Sequence, residues 1–400
     1  MTENLEEWVL EHYGQEVFRP GLDRINRALT DLKKDLYRSK IIIIAGTNGK
    51  GETTHRLSHL FKHSSYCSWT SPHIQSITER FSSQNGDIEP SELKAFFLES
   101  HKVIEDEKFQ LTYYEFLFYA FCRWAIKKSP QYLFLEVGLG GRLDAVNALN
   151  AELVLLTSIS RDHQEFLGQR YDSILAEKLG VLRPQAGLIS YLDLHYLRER
   201  VAKKAEELKV SYLDLEEIIK IPAFEFSKRN QFLAHAAFCS LTGTPLNAKQ
   251  WQASSEWLSS RAEIIRGINE WWLFGSHNVD GVRKLIQFLH SANYNFKDSP
   301  FDAVVTSFSK RDEKDIRIML KMLKESHLGT VLVTAFTHPK ACPRGVLEKL
   351  AGDEGLTFVE NIADHVQGWT HQKVLVLGSY YLLGQLQPLF QSREASTHHR

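Results

Sequence analysis

Glycines, a lysine and hydroxyls follow an apolar run in Ile41-Ile42-Ile43-Ile44-Ala45-Gly46-Thr47-Asn48-Gly49-Lys50-Gly51-Glu52-Thr53. Glycines let backbone N–H groups turn toward phosphate oxygens, a following helix N-terminus adds positive potential, and a lysine can reach terminal phosphates. The spacing is tighter than the general phosphate loop of Gly, four residues, then Gly-Lys-Ser/Thr. A second set of reactive types lies near the ends of other apolar runs. Ser71 follows Tyr66–Thr70, Glu136 sits near the end of Leu133–Val137, and Asp162 and His163 follow Leu153–Ile159. A hydroxyl, a carboxylate and an imidazole at strand ends could hold a divalent cation beside polyphosphate. Glu136 is the informative one, because a carboxylate in an apolar run needs a partner: a cation, Arg142 or a backbone donor. His163 alone reads as an ordinary loop histidine. The glycine-dense run Gly138-Leu139-Gly140-Gly141-Arg142-Leu143-Asp144 reads as a place where the backbone approaches a ligand. Lys178, in a helix-like run Ser173–Leu182, reads by itself as a solvated charge.

These residues need a scaffold of strands with ends at one edge. Leu5–Leu32 reads as helical with a break at Pro20-Gly21. Ile41–Ala45, Tyr132–Val137, Leu153–Ile159 and Gly187–Tyr191 read as buried strands, since continuous apolar runs suit parallel strands covered on both faces. Thr53–His63 has Leu57, Leu60 and Phe61 at helical spacing. The alternation restarts after the Ser-rich stretch Ser254–Ser260, with strands at Trp271–Phe274, Asp302–Thr306, Thr330–Thr334 and Lys373–Leu377. Helix faces lie between, marked by Val282, Leu285, Ile286 and Leu289 and by Ile316, Met319, Leu320 and Leu323. The pattern predicts two α/β domains, residues 1–260 and 261–400, each with its own sheet.

With 48 basic and 49 acidic residues the net charge is −1, so bulk charge calls for neither nucleic acid nor an anionic membrane. No apolar stretch is long enough to span a bilayer, and the acidic start reads as neither signal peptide nor presequence. The four cysteines are widely spaced and match no zinc pattern, which suits buried thiols in a reducing cytoplasm.

Taken together the motifs resemble folylpolyglutamate synthase/dihydrofolate synthase, a branch of the Mur ligase superfamily. The matching elements keep their order. They are Gly21–Ile25, Ala45–Gly51, Thr70–His73 with Thr78–Arg80, Leu111–Phe116, Leu135–Asn147, Thr157–His163, Ala176–Gly180, Ser260-Arg261, Gly275–Asn278 and Leu375–Tyr380. The resemblance implies a P-loop NTPase-like domain with a mostly parallel sheet, plus a smaller Rossmann-like α/β carboxyl-terminal domain that handles glutamate. It implies an ATP-dependent amide ligase acting in the cytoplasm as a monomer. ATP would phosphorylate the carboxylate of dihydropteroate or a reduced folate, and the amine of L-glutamate would attack the acyl phosphate. Gly46, Thr47, Asn48, Gly49, Lys50, Gly51, Glu52, Thr53, His235, Arg261 and His277 would bind ATP. Ser71, Glu136 and His163 would bind Mg²⁺, and a carbamylated Lys178 would help hold a second Mg²⁺. Lys50, His163 and Lys178 would serve the chemistry. Arg80, Tyr114, Asp144, Ala145 and Asn147 would lie on the pterin side.

The chain departs from the family pattern in four places. Glu52 stands where the loop usually has Ser or Thr, Phe274 where Asp precedes Gly-Ala-His-Asn, His235 where Asn precedes Ala-Ala, and Lys340 where Arg is commoner. A carboxylate about 4 Å from phosphate is repelled by roughly 1 kcal/mol in water and several times that at a protein surface. Glu52 must therefore turn away, bind metal or weaken ATP. Two alternatives follow from these changes: a non-catalytic relative that binds a pterin or a partner protein, and a Mur-type ligase with another acid substrate.

Overall fold

The computed structural model describes residues 4–17, 19–247, 250–251, 262–291 and 300–391. The chain forms two compact units. The first comprises Met1–Ser160, Gln164–Ile221 and Ser227–Ser255, and the second Arg161–His163, Pro222–Phe226 and Glu256–Arg400. Two short segments thus leave the sequential order expected for two consecutive domains and join the second unit.

The elements of the first unit used below are α1 (Leu5–Tyr13), β1 (Lys40–Ala45), α2 (Lys50–Leu60), β2 (Tyr66–Trp69), β3 (Phe81–Ser83), β4 (Gly86–Asp87), α3 (Tyr113–Lys128), β5 (Tyr132–Glu136), β6 (Leu153–Leu156), α4 (Tyr171–Leu179), β7 (Gly187–Ser190), β8 (Ser211–Asp214) and α5 (Phe226–Thr242). Its sheet has eight strands in the order β4-β3-β2-β5-β1-β6-β7-β8. The six strands from β2 to β8 along that order run parallel, and β3 and β4 add an antiparallel edge. The isoleucine run is explained by two-sided burial. Ile41 and Ile43 face one core with Trp69, Phe118 and Phe121, while Ile42 and Ile44 face another with Leu57, Phe134 and Leu233. At the start of α3, Thr112 and Glu115 cap each other's backbone N–H groups. Arg24 donates to both Glu115 oxygens at 3.0 and 3.1 Å, which ties the amino-terminal Gly21–Ile25 segment to that helix start.

Two boundaries differ from the sequence pattern. The amino-terminal helical stretch is three short helices, Leu5–Tyr13, Asp23–Ala28 and Lys33–Leu36. Strand β6 stops at Leu156, three residues short of Ile159, because Thr157 to Ser160 leave the ladder to bond the phosphate loop.

In the second unit, β9 (Ala262–Arg266), β10 (Glu270–Phe274), α6 (Val279–Leu289), β11 (Ala303–Thr306), α7 (Glu313–Glu325), β12 (Thr330–Thr334), α8 (Arg344–Asp353), β13 (Thr357–Val359), α9 (Ile362–Val366), β14 (Lys373–Leu377) and α10 (Tyr380–Gln391) follow one another. Six strands form a sheet in the order β13-β12-β11-β14-β10-β9, parallel except for β9. Val282, Leu285, Ile316, Met319, Leu320 and Leu347 from α6, α7 and α8 fill one side. Ile362, Val366, Leu382 and Leu386 from α9 and α10 fill the other. Both helix faces read from the sequence pack into this core, with Ile286 only partly buried. Among the described residues no helix is long and apolar enough to cross a membrane. All four cysteines are free thiols.

Trp69 is fully buried among Phe81, Tyr114, Phe118 and Phe121, with ring centroids 5.6–5.7 Å away. Trp69→Ala should lower unfolding stability by about 3–5 kcal/mol in urea titration, as expected for a buried aromatic truncated to a cavity. A change below about 1 kcal/mol would show that this cluster is not a cohesive part of the core.

Candidate active site

The phosphate loop runs from the end of β1 into α2. Gly46 has φ +147° and Gly49, the N-cap of α2, has φ +88°, the left-handed region that glycine tolerates. The segment after β6 clamps the loop. Thr47 N–H donates to Ser158 O at 2.8 Å, and Asn48 N–H to Ser158 Oγ at 2.9 Å. Thr157 Oγ1 and Ser158 Oγ both donate to Asn48 O, at 2.7 and 2.9 Å. Thr47 Oγ1 donates to Ser160 O and accepts from Ser160 N–H, each at 3.1 Å. With the front of the loop held this way, the first-turn amides of α2 open the helix where no preceding turn can accept from them. Lys50 Nζ donates to Thr47 O at 3.0 Å. Thr53 Oγ1 is buried with no hydrogen-bond partner among the described residues. The motif Thr157–His163 carries the family resemblance, but the sequence assigns no role to Thr157, Ser158 and Ser160, although three hydroxyls at the end of an apolar run are a usable signal.

Glu52 turns away into the protein. Its carboxylate is 7% exposed and accepts Arg56 Nε and a second Arg56 N–H at 3.0 and 2.8 Å. It also accepts Ser227 Oγ at 2.5 Å and Asn230 Nδ2 at 2.7 Å. Of the three possibilities left open by the sequence, the first is the one observed.

Lys178 is 4% exposed, not a solvated helix charge. Its Nζ donates to Gly46 O at 2.7 Å. The glycine-dense run explains this placement by close packing against protein neighbours. A Cβ on Gly141 would lie 2.8 Å from Glu177 O and 3.1 Å from Lys178 Cα, and one on Gly180 would lie 2.4 Å from Arg142 Cβ. These glycines let the backbone pack on α4. Gly138 likewise makes room for the Tyr114 ring.

Glu136 and Ser71 meet at the ends of β5 and β2. Ser71 N–H donates to Glu136 Oε2 at 3.1 Å, and both residues are buried. Glu136 thus has a backbone donor, while Arg142 pairs with Glu177 at 2.8 Å. Among the described residues there is no group of three or more His, Cys, Asp or Glu side chains that could hold a metal ion.

On the expected pterin side, Tyr114 OH accepts from Trp69 Nε1 at 3.2 Å and donates to Asp144 Oδ1 at 3.5 Å. Burial, then the charge of Asp144, pushes the Tyr114 hydroxyl well above its usual range. Asp144 caps the short helix Ala145–Ala148 and accepts from Gly138, Leu139 and Val146 N–H groups at 2.9–3.0 Å. Burial raises its pKa to about 6 despite those bonds and the charge of Lys50. Ala145 is buried beside it. Asn147 Nδ2 donates to Arg142 O and Gly180 O at 2.7 and 3.2 Å, and its Oδ1 accepts from Arg183 at 2.8 Å, so it braces the glycine-dense loop. Arg80, 1% exposed, is bonded to His73 Nδ1 at 2.9 Å and to Glu16 at 3.2 Å.

His235 lies on α5, with its ring centroid 4.4 Å from Trp251 and 6.0 Å from Phe232. Burial, then the charge of Arg56, lowers its pKa from 6.5 to about 4.

In the second unit Asp162 gathers three partners. It accepts Asn278 Nδ2 at 2.8 Å and lies 3.3 Å from His277 Nε2 and 3.8 Å from Arg311. Burial alone would raise its pKa, but the His277 hydrogen bond and the charges of His163, His277 and Arg311 hold it well below the usual carboxylate range. His277 Nδ1 also bonds Gly275 O at 2.7 Å. His163 has φ +49°, and its N–H donates to Asp162 Oδ1 at 3.1 Å. Phe274, at the position of the family's aspartate, is 1% exposed and belongs to the core beneath α6. Lys340 contributes its carbonyl to Lys310 N–H at 2.7 Å. Arg261 lies outside the described residues.

No protein-family model matches the chain. Curated dihydrofolate synthase/folylpolyglutamate synthase of Buchnera aphidicola subsp. Baizongia pistaciae is 27% identical over 420 residues, covering 94% of this chain and 93% of the relative. The protein of the same name from Bacillus subtilis is 25% identical over 412 residues, covering 92% and 94%. A crystal structure described as a bifunctional folylpolyglutamate synthase/dihydrofolate synthase with Mn, AMPPNP and L-glutamate bound matches with a TM-score of 0.79 at 22% identity, over 97% of this chain and 98% of that one. The fold is therefore shared, and the sequence resemblance runs nearly end to end.

Two substitutions test this geometry. A Cβ on Gly46 would lie 1.9 Å from Thr157 Oγ1, so Gly46→Ala should break the clamp and remove detectable Mg-ADP binding in calorimetry. Unchanged affinity would show that the clamp is dispensable. His235 binds fewer protons folded than unfolded between pH 6.5 and about 4, so its contribution to stability falls as pH drops through that window. Relative to pH 7, His235→Asn should spare about 2 kcal/mol of acid destabilisation at pH 5, read by denaturant midpoints. Parallel stability–pH curves for both proteins would contradict the neutral, buried imidazole.

Proposed function

We propose that this chain, which resembles dihydrofolate synthase/folylpolyglutamate synthase along nearly its whole length, is an ATP-dependent acid–amino-acid ligase. It joins L-glutamate to the carboxylate of dihydropteroate or a reduced folate. The observation that carries this reading is the clamped phosphate loop, with Lys50 folded onto it and Lys178 bonded to its first glycine carbonyl. We assign nucleotide handling to the first unit, residues 1–260 in the sequential division, and amino-acid handling to residues 261–400.

The residues present fit a nucleotide polyphosphate. Thr53 Oγ1 is a buried hydroxyl without a partner among the described residues, set in the first turn of the helix that follows the loop. Lys50, Thr53 and the first-turn backbone amides of α2 would hold the phosphates. Glu136 and Ser71 fit a divalent cation of the magnesium type, which binds through one or two carboxylates and completes its shell with water and phosphate oxygens. When bound, such a cation neutralises the charge between carboxylate and γ-phosphate. His163 belongs to the second unit and stands as a metal residue on the family resemblance. Lys178 fits carbamylation in one respect. A carbamate keeps an N–H on Nζ, so the bond to Gly46 O survives while the new carboxylate is free to bind metal. A carbamate carbon signal in ¹³C NMR under ¹³CO₂, absent in Lys178→Gln, would verify it.

The chemistry follows from the substrates. A carboxylate is a poor electrophile, so its oxygen first attacks the γ-phosphorus of ATP, the bond to the bridging β-phosphate oxygen breaks and ADP leaves, and the acyl phosphate formed carries phosphate as a good leaving group. The glutamate amine displaces phosphate and forms the amide. Lys50 and the first-turn amides of α2 stabilise the charge that develops on the transferred group. Tyr114 and Asp144 sit together at the mouth of the glycine-dense loop and are assigned to the pterin side.

With Mg-ATP, L-glutamate and either dihydropteroate or a reduced folate, purified protein should release ADP only when all components are present. Lys178→Ala should lower kcat roughly 10–100-fold or more, with the fold retained by circular dichroism. No ADP release with any folate or pteroate acceptor would overturn the reading. Release with a different acid from a substrate panel would redirect it to another Mur-type ligase.

A further inference from the structure

Glu52 and Arg56 pose a problem that the ligase reading does not solve. Glu52 is the third residue of α2, in the turn whose N-terminal amides face the phosphate site. A carboxylate there competes with a polyphosphate for the same positive potential. Yet it is buried, and its position is fixed by four hydrogen bonds. Two come from Arg56, one helical turn later and itself 3% exposed, and the others from Ser227 and Asn230 on α5. The arginine places a full positive charge 2.8 Å from the carboxylate. Asn230 does a second job: a Cβ on Gly49 would lie 2.5 Å from Asn230 Oδ1 and 2.7 Å from its Nδ2. The amide that Glu52 holds is therefore the surface against which the left-handed Gly49 rests.

We infer that Glu52 and Arg56 act as a charge-neutral positioning pair, which seats Asn230 against Gly49 and so fixes the phosphate loop without repelling a polyphosphate. Neither residue touches the ligand. Arg56 cancels the field of a carboxylate whose geometry the loop needs. The inference rests on the reading that the loop binds a nucleotide, and it assigns the four residues a role in affinity as well as in packing.

The test is Mg-ADP affinity by calorimetry on the full chain, with melting temperature recorded for each variant. Arg56→Met should weaken Mg-ADP binding at least about tenfold, because the carboxylate is left uncompensated beside the anion. Adding Glu52→Gln to Arg56→Met removes that charge and should return affinity to within about threefold of wild type. Packing alone predicts no such rescue, because the double variant loses more hydrogen bonds than the single one. Asn230→Ala keeps the ion pair and should weaken binding about tenfold, and it decides the matter if Arg56→Met does not fold. Wild-type affinity in folded Arg56→Met, no recovery in the double variant, or unchanged affinity in Asn230→Ala would overturn the pair. If wild type does not bind Mg-ADP, both this inference and the ligase reading fail. If it binds but shows no glutamate-dependent ADP release, only the ligase reading fails.

Discussion

A loop that receives polyphosphate must leave backbone amides facing outward while every polar group behind it is satisfied. The four residues from Thr157 to Ser160 meet that constraint here. They supply two hydroxyl donors to Asn48 O, an acceptor for each of Thr47 N–H and Asn48 N–H, and a reciprocal pair with Thr47 Oγ1. An unpaired buried amide or carbonyl costs about 1–3 kcal/mol, so a loop lacking these partners would collapse onto its own polar groups. Other features follow from this clamp. Strand β6 ends early so that its continuation can bond sideways, and Gly46 must lack a side chain because Thr157 occupies that space. Lys178 can reach a carbonyl of the loop only because that carbonyl is held still.

The same reasoning explains how the fold accommodates three of the four departures from the family pattern. Glu52 is absorbed by a neutralising arginine and two neutral donors on another helix. Phe274 is absorbed by the core of the second unit, where an aromatic ring replaces a carboxylate without leaving a charge unpaired. His235 is held neutral by burial and packs against Trp251 and Phe232. Each substitution arrives with its partners, which is how a polar or apolar change is tolerated in a close-packed region.

Much of the scaffold was legible in the sequence because its signals are local. Ile41–Ile44 read as a strand covered on both faces, and Val282, Leu285 and Leu289 read as a helix face, because periodicity reports burial directly. The loop was legible from its glycines. Lys178 was not legible from its own helix, because its partner is a carbonyl 132 residues earlier. Glu52 was legible as a problem but not as a solution: Ser227 and Asn230 lie 175 and 178 residues away in sequence. The glycines from Gly138 to Gly141 signal close approach in the sequence, and the fold shows that Gly138 and Gly141 make room for Tyr114 and α4. Steric need is visible in a sequence, but which neighbour imposes it depends on the folded chain.

The central claim is that the clamped loop serves the activation of a carboxylate by phosphoryl transfer. The most direct measurement is the fate of carboxylate oxygen. Dihydropteroate or a reduced folate labelled with ¹⁸O in the reacting carboxylate would be turned over with Mg-ATP and L-glutamate, and the released inorganic phosphate analysed by mass spectrometry. The acyl phosphate route predicts one ¹⁸O in each phosphate released. Phosphate free of label, with amide product formed, would contradict it.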